Sequence, residues 1–565
     1  AGDALTTGAD NVVLGYNALS TEDTGNRNTA LGRGTLQNLN YDGNGYNTAV
    51  GYEAGNDVTT GVENAIVGGL AGDAMTTGSY NAVLGTSALG ANTKSNANVA
   101  IGNSALASHN LTSSTAAYNV AIGFNAGLSV STGVQNTIIG GLAGDALTTG
   151  TNNVAMGYGA LGSEDTGGQN VAIGVNALNT ANYDGNGLNV AVGYGAGAAV
   201  TTGVENVIVG GNAGDALTTG RRNVAIGHAA LSAEDEHSYC VAIGYQALLR
   251  QDAGANTYNV AVGYDAGQAV TTAVNNTLIG GSAGYALTTG SYSTGLGFNV
   301  LATETTNSHN TAIGYASMSS TELSAKNVAI GSNTLQNLTN SGSTDTYNVA
   351  VGYNAGINMT TGVRNTLIGG LAGDALTTGG YNVAIGYLAL SAEDGNGRNV
   401  AIGNNTLMTQ NAGSEAYNVA IGFAAGEAVT TGTHNTLIGS EAGDAITTGT
   451  HNIAIGYQAL SQEDAYGKNV AVGSFALQDL NAAADAGNTA IGYVAGAELT
   501  TGIRNVIIGS WAGDALTTGD YNVAIGSFAL SSEDGNGKNI AIGYNALSVQ
   551  NAGADAYNIA IGHDA

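Results

Sequence analysis

The amino-acid sequence predicts an all-β fold: a parallel β-solenoid, or β-roll, of about 32 coils with 17–19 residues per coil. Three observations predict it. A pentad Asn-x-x-x-Gly with apolar residues inside recurs 32 times. Gly closes every copy, Asn opens all but those at Cys240 and Ser293, and the fourth residue is always Ile, Val, Leu or Met. The copies are spaced 17, 17, 17 and 19 residues apart in rotation, which sets a super-repeat of about 70 residues. Such self-similarity marks a stacked repeat architecture.

Each element of a coil follows from its residues. Val-Ala-Ile is a short β-branched-rich run bounded by Asn and Gly, which reads as a strand. A helix would need apolar residues at i, i+3, i+4 and i+7, and these Gly-rich units do not supply them. A second short apolar piece, such as Asp-Ala-Leu-Thr-Thr, and a Gly-rich turn complete the unit. Ordering one coil costs on the order of 1–2 kcal/mol per residue, more than its few apolar side chains return. Neighbouring coils must supply the difference through ladder hydrogen bonds and a shared core.

Residues 1–565 are read as one repeat array and a fragment of a longer fibre. Four kinds of unit alternate, exemplified by residues 189–205, 206–222, 382–398 and 399–417. One super-repeat, 259–347, has five coils, and the irregular unit at Ser293 is taken as the additional one. Both ends of the sequence fall within a coil. The polypeptide is therefore expected to continue in at least one direction, or chains to join end to end.

The ladder residues are assigned from position. Asn189, Asn206 and Asn382 are expected to stack as amides at one corner. Gly193, Gly210 and Gly386 suit a corner that needs positive φ or a close backbone approach. Alternation sends Val and Ile to one face and the middle residue to the other. The Val/Ile face is assigned to the core. The middle residue is apolar too, as at Ala191, Ile208, Leu278, Leu367, Leu437 and Ile507. A strand apolar on both faces is buried on both. These six residues are therefore expected to meet identical chains in a parallel homo-oligomer.

Composition narrows the function. Gly contributes 90 residues, Pro none, and only 9% of the chain is charged. The formal charge is -29, from 41 acidic and 12 basic residues. That balance disfavours nucleic acid, whose phosphates need Lys and Arg clusters. A single cysteine, Cys240, excludes an intrachain disulfide framework. No run approaches the roughly 18 apolar residues of a membrane-inserted helix.

The recurring NVAIG pentads resemble the head repeats of YadA-like trimeric autotransporter adhesins. The form NTAIGYxAL…TTGxxNT is similar to repeats of phage tail-fibre and bacterial surface-fibre proteins. The resemblance runs the length of the chain. It implies a left-handed β-roll, three associated chains, and an extracellular or virion-surface location. The expected function is the structural shaft or head of an adhesive fibre, a rigid spacer with side-on receptor contact. A glycan-binding trimeric adhesin head is the alternative, with a host-surface glycan or protein as its partner.

Other chemistry is weighed against this reading. Glu-Asp pairs recur at regular intervals, for example at residues 393–394 and 463–464, and read as a solvated stripe. A regular stripe has no singular cleft, so the chain is not read as an enzyme. Asp-Gly-Asn-Gly turns offer calcium candidates at Asp42, Asn44, Asp184, Asn186, Asp394, Asn396, Asp534 and Asn536. They lack the downstream acidic ligand, and such dipeptides are ordinary turns. Thr-Thr-Gly arrays suit ice binding only if present in every coil, and here two coils in four lack them. No cofactor is required.

Overall fold

The structure is a computed structural model. It describes the backbone of all 565 residues and every side chain except those of residues 340–344. The chain divides into two units, Ala1–Ser282 and Ala283–Ala565. The fold is an all-β parallel β-solenoid of about 32 turns, and among the described residues it has no helix.

The first unit holds 16 three-residue strands, from Val12–Leu14 to Thr277–Ile279. Each coincides with the middle of a pentad. Neighbouring strands pair in parallel and in register, as Val190, Ala191 and Val192 do with Val207, Ile208 and Val209. Between strands, Val207 donates its N–H to Asn223 (2.9 Å) and Gly210 donates to Val192 (2.8 Å). The second unit has 16 ladder strands, from Thr294–Leu296 to Ile559–Ile561, with the same register. A separate parallel pair, Glu322–Ala325 with Thr339–Asp345, accompanies the 21-residue spacing after Asn327.

The two faces of the strand are the reverse of the assignment made from sequence. The middle residue points inward. Ala191, Ile208, Leu278, Leu367, Leu437 and Ile507 have no exposed surface, and they are covered by their own chain. The flanking Val and Ile are half-buried on the outside, as at Val190 and Val192. The reason is cross-section. A coil of 17 residues closes around a narrow interior, which four other side chains already enter. In coil 153–169 these are Asn153, Ala160, Leu161 and Glu164, all buried beside Ala155. Only one residue per strand fits, and in most coils it is Ala.

Interior volume is matched between neighbouring coils. In most coils of the third and fourth kinds the strand carries Ala and the corner Leu, as in Ala172 with Leu178. In the first kind Ala goes with Gly, as in Ala121 with Gly127, and side chains of the two neighbouring coils fill the space. Where it carries Ile or Leu, the corner is Gly, as in Ile208 with Gly214. A Cβ on Gly127 would lie 2.9 Å from the Ile138 Cδ1 of the next coil and 3.2 Å from the Leu106 Cδ2 of the preceding one. These corners are left-handed even where the residue is Leu: Leu178 has φ 48° and Leu407 φ 47°.

The additional coil of super-repeat 259–347 is 310–326, not the unit at Ser293. Glu304 is fully buried eleven residues into the Ser293 coil, where Glu234 and Glu393 stand in theirs, and this identifies the coil as the third kind.

Candidate functional site

The Asn ladder is the first recurrent polar array. Each side chain turns inward, and its amide serves two coils. The Asn206 carbonyl oxygen accepts the N–H of Asn223 (2.9 Å), and its Nδ2 donates to the Gly220 carbonyl (2.9 Å). Asn189 and Asn382 are placed in the same way. The amide thus ties the strand of one coil to its own turn and to the next coil. We expect Asn206→Ala to cost roughly 2–5 kcal/mol, because it strands a buried N–H and a buried carbonyl. Hydrogen exchange in coils 206–239 would show it as lost protection, and unchanged exchange would remove this role.

Cys240 fits the ladder without adding chemistry. Its N–H donates to Asn223 (2.9 Å) and its thiol lies 2.7 Å from the Thr257 hydroxyl. Burial pushes the thiol up to about 12.

The Gly column has the geometry its positions implied. Gly193, Gly210 and Gly386 have φ of 142°, 138° and 138°. A Cβ on Gly386 would stand 2.2 Å from the carbonyl oxygen of Gly403.

The second polar array is a column of glutamates, and it overturns the solvated stripe. Glu22, Glu164, Glu234, Glu304, Glu393, Glu463 and Glu533 are all fully buried. The residues that follow them, Asp in six coils and Thr305 in the seventh, reach solvent. Glu393 Oε1 accepts the N–H of Asn396 (3.0 Å), and Glu463 Oε1 that of Tyr466 (3.1 Å). The second oxygen of Glu164, Glu234, Glu304, Glu393, Glu463 and Glu533 has no hydrogen-bond partner. Burial raises the pKa of Glu164, Glu234 and Glu393, raises that of Glu304 well above the usual 4.5, and brings Glu463 to about 7. Sequence reasoning missed the column because Glu next to Asp looks solvated. The signal available was its fixed place, eleven residues after the ladder Asn, where coils of the first two kinds carry an apolar residue such as Val200 or Leu217.

The calcium candidates fall in two different settings. Asp42 accepts the Thr24 hydroxyl, Asn44 bridges Asn26, and Asn186 bridges Gly168. Asp184 is exposed. The Asp394 and Asp534 carbonyls accept from Thr377 and Thr517. The amides of Asn396 and Asn536 are engaged by Glu393 and Glu533. Among the described residues, the one group of three or more His, Cys, Asp or Glu close enough to share a cation lies elsewhere, at Glu234, Asp235, His237 and Asp252.

The outer face is the third array. Two aromatic rows flank the Val and Ile rows, one after each ladder Gly and one before each ladder Asn. Tyr194 and Tyr264 (65% and 60% exposed) belong to the first, Tyr118 and Tyr258 to the second. Tyr245 stacks on Tyr264 with ring centroids 5.2 Å apart, and Tyr239 on Tyr258 at 5.1 Å. His434 and His451, in adjacent coils, stack at 4.9 Å. Eight of the 12 basic residues stand in the row before the Asn, among them Arg222, Arg398 and Lys468. Each of these three pairs with a carboxylate of an adjacent coil: Glu205 (2.5 Å), Glu415 (2.8 Å) and Asp485 (2.6 Å). Arg27, Lys326 and Lys538 pair likewise, so six of the eight are neutralised, while Arg364 and Arg504 donate to tyrosine hydroxyls. The Thr hydroxyls are also engaged, as Thr218 Oγ1 is with the Asp235 carbonyl (2.9 Å).

These arrays define the chain as a parallel β-solenoid repeat protein whose polar side chains chiefly hold coil to coil. No protein-family model matches it, and the comparison with curated proteins found no match either. No helix among the described residues is long and apolar enough to cross a membrane.

Proposed function

We propose that the chain is the structural shaft or head of an extracellular adhesive fibre, of the phage tail-fibre or bacterial surface-filament kind, acting as a rigid spacer. One observation carries the reading. Within each unit an unbroken ladder of in-register strands presents Val and Ile outward between two aromatic rows. A contiguous apolar face of that size is uncommon on a monomer and marks an association surface. Identical chains are the occupants with the same period, since a partner rung about 4.8 Å from the next keeps step along the face. The homo-oligomer is thus retained, but its contact moves from Ala191 and its equivalents to the Val/Ile rows. Three chains is the number the adhesin resemblance implies.

Sedimentation of the purified chain tests this reading. The expected result is a homo-oligomer that dissociates when Val190 and Val260 are both replaced by Asp. A monomeric wild-type chain would overturn it. A glycan-binding head is the second reading, favoured by the exposed Tyr rows. Stacked rings such as Tyr245 and Tyr264 cover each other's faces, which leaves only their edges for a sugar. Glycan-array binding by the chain would favour head over shaft.

A further inference from the structure

The third kind of coil carries a buried glutamate with a spare oxygen, and at one place in the first unit other ligand-type side chains collect around it. Potential ligand atoms of Glu234, Asp235, His237 and Asp252 all lie within 4.8 Å of one another. Glu234 has no exposed surface, and its Oε2 has no hydrogen-bond partner. His237 Nδ1 lies 2.9 Å from Glu234 Oε1. Asp235 and Asp252 open toward solvent, which gives an ion an entry path.

Two departures from the repeat create this group. At the place of His237 the other third-kind coils have Gly25, Gly167, Asn307, Asn396, Tyr466 and Asn536. At the place of Asp252, equivalent coils have Asn, as at Asn40, Asn182, Asn411 and Asn481. Both changes supply a metal ligand, and both face the same glutamate. The spare oxygen recurs in six of the seven column glutamates. The imidazole and the additional carboxylate belong to this coil pair alone.

We propose that Glu234, Asp235, His237 and Asp252 bind one divalent first-row transition metal ion. One imidazole nitrogen with carboxylate oxygens suits zinc or a neighbouring metal better than calcium or magnesium, whose sites are built from oxygen. Joining residues of two consecutive coils, the ion pins coil 223–239 to coil 240–258. Its role is to fix a polar join within the stack.

The test is titration of the chain with Zn²⁺ by calorimetry, with Co²⁺ absorption as a second readout. We expect one ion per chain with a dissociation constant below about 100 μM. Binding should fall at least about tenfold in both His237→Asn and Asp252→Asn, a loss of roughly 1.4 kcal/mol or more. Asn already stands at the equivalent places, so both variants should keep the fold. The converse variant, Asn396→His with Asn411→Asp, should raise the stoichiometry from one to two, because Glu393 and Asp394 are already in place. No Zn²⁺ binding by the wild type would overturn the proposal. So would undiminished binding in the double Asn variant, a stoichiometry that stays at one in the converse variant, or equally tight Ca²⁺ binding with the same sensitivity.

Discussion

Replacing Gly386 by Ala is expected to break the stack locally, at a cost above about 4 kcal/mol. Two independent penalties coincide. The φ of 138° lies where side chains are strongly disfavoured. The new Cβ would also stand 2.2 Å from the Gly403 carbonyl oxygen, which is backbone in the adjacent rung and cannot rotate away. Relief would require the rungs to separate, and that breaks the Gly403 N–H bond to the Ile385 carbonyl (2.7 Å). Gly370→Ala is the control. Its φ is unexceptional and its nearest neighbour is a Tyr387 ring carbon at 3.5 Å, so a change within about 0.5 kcal/mol is expected. Proteolysis and hydrogen exchange around coils 382–417 should separate the two variants. Equal protection in both would mean the Gly column does not hold the ladder.

The second large effect concerns pH. Burial brings Glu463 to about 7, from a usual 4.5, so the fold favours its protonated form. Its contribution to stability is complete below about pH 4.5 and is lost as pH rises through about 7. A shift of that size corresponds to roughly 3 kcal/mol. The neighbouring Asp464 charge acts in the same direction, while the N–H groups of Tyr466 and Ala482 oppose it. Protection of coil 452–468 should therefore weaken between pH 5 and pH 8. Glu463→Gln keeps the shape and the acceptor for Tyr466 but carries no charge. It should hold its protection across that range and exceed the wild type at pH 8. A variant with the same pH dependence as the wild type would sink the argument, because the general repulsion of a chain with charge -29 would then explain the whole effect.

Much of the fold was legible in the sequence because the information was repeated 32 times. The pentad Asn-Val-Ala-Ile-Gly gave the strand, its spacing gave the coil, and Asn206 and Gly386 lie in the ladder and corner their positions implied. Which face of Val-Ala-Ile turns inward was not legible. Alternation separates Ala191 from Val190 and Val192 but does not say which side is the inside. Size preference pointed to Val and Ile. The interior is decided instead by how much room 17 residues enclose once Leu161 or Leu178 has entered from the corner. The glutamate column was hidden for a related reason. The two methylenes of Glu393 along the interior do what Leu376 does one coil earlier, and only the three-dimensional closure shows it. The group around Glu234 was hidden because His237 and Asp252 are 15 positions apart, and their convergence depends on stacking across two coils.

The exchange of corner and strand volumes limits how such a chain can change its length. Gly127 has a floor in Leu106 of one neighbouring coil and a ceiling in Ile138 of the other. Removing a single coil would bring together side chains that were never matched, so a crossover between unlike coils leaves either a hole or a collision. A crossover between like coils, one full cycle of four apart, leaves every neighbour as before. Such a gene can be lengthened or shortened by recombination in steps of about 70 codons without refitting its interior. The number of coils is then adjustable in units of four, while the fit of each coil to the next stays fixed.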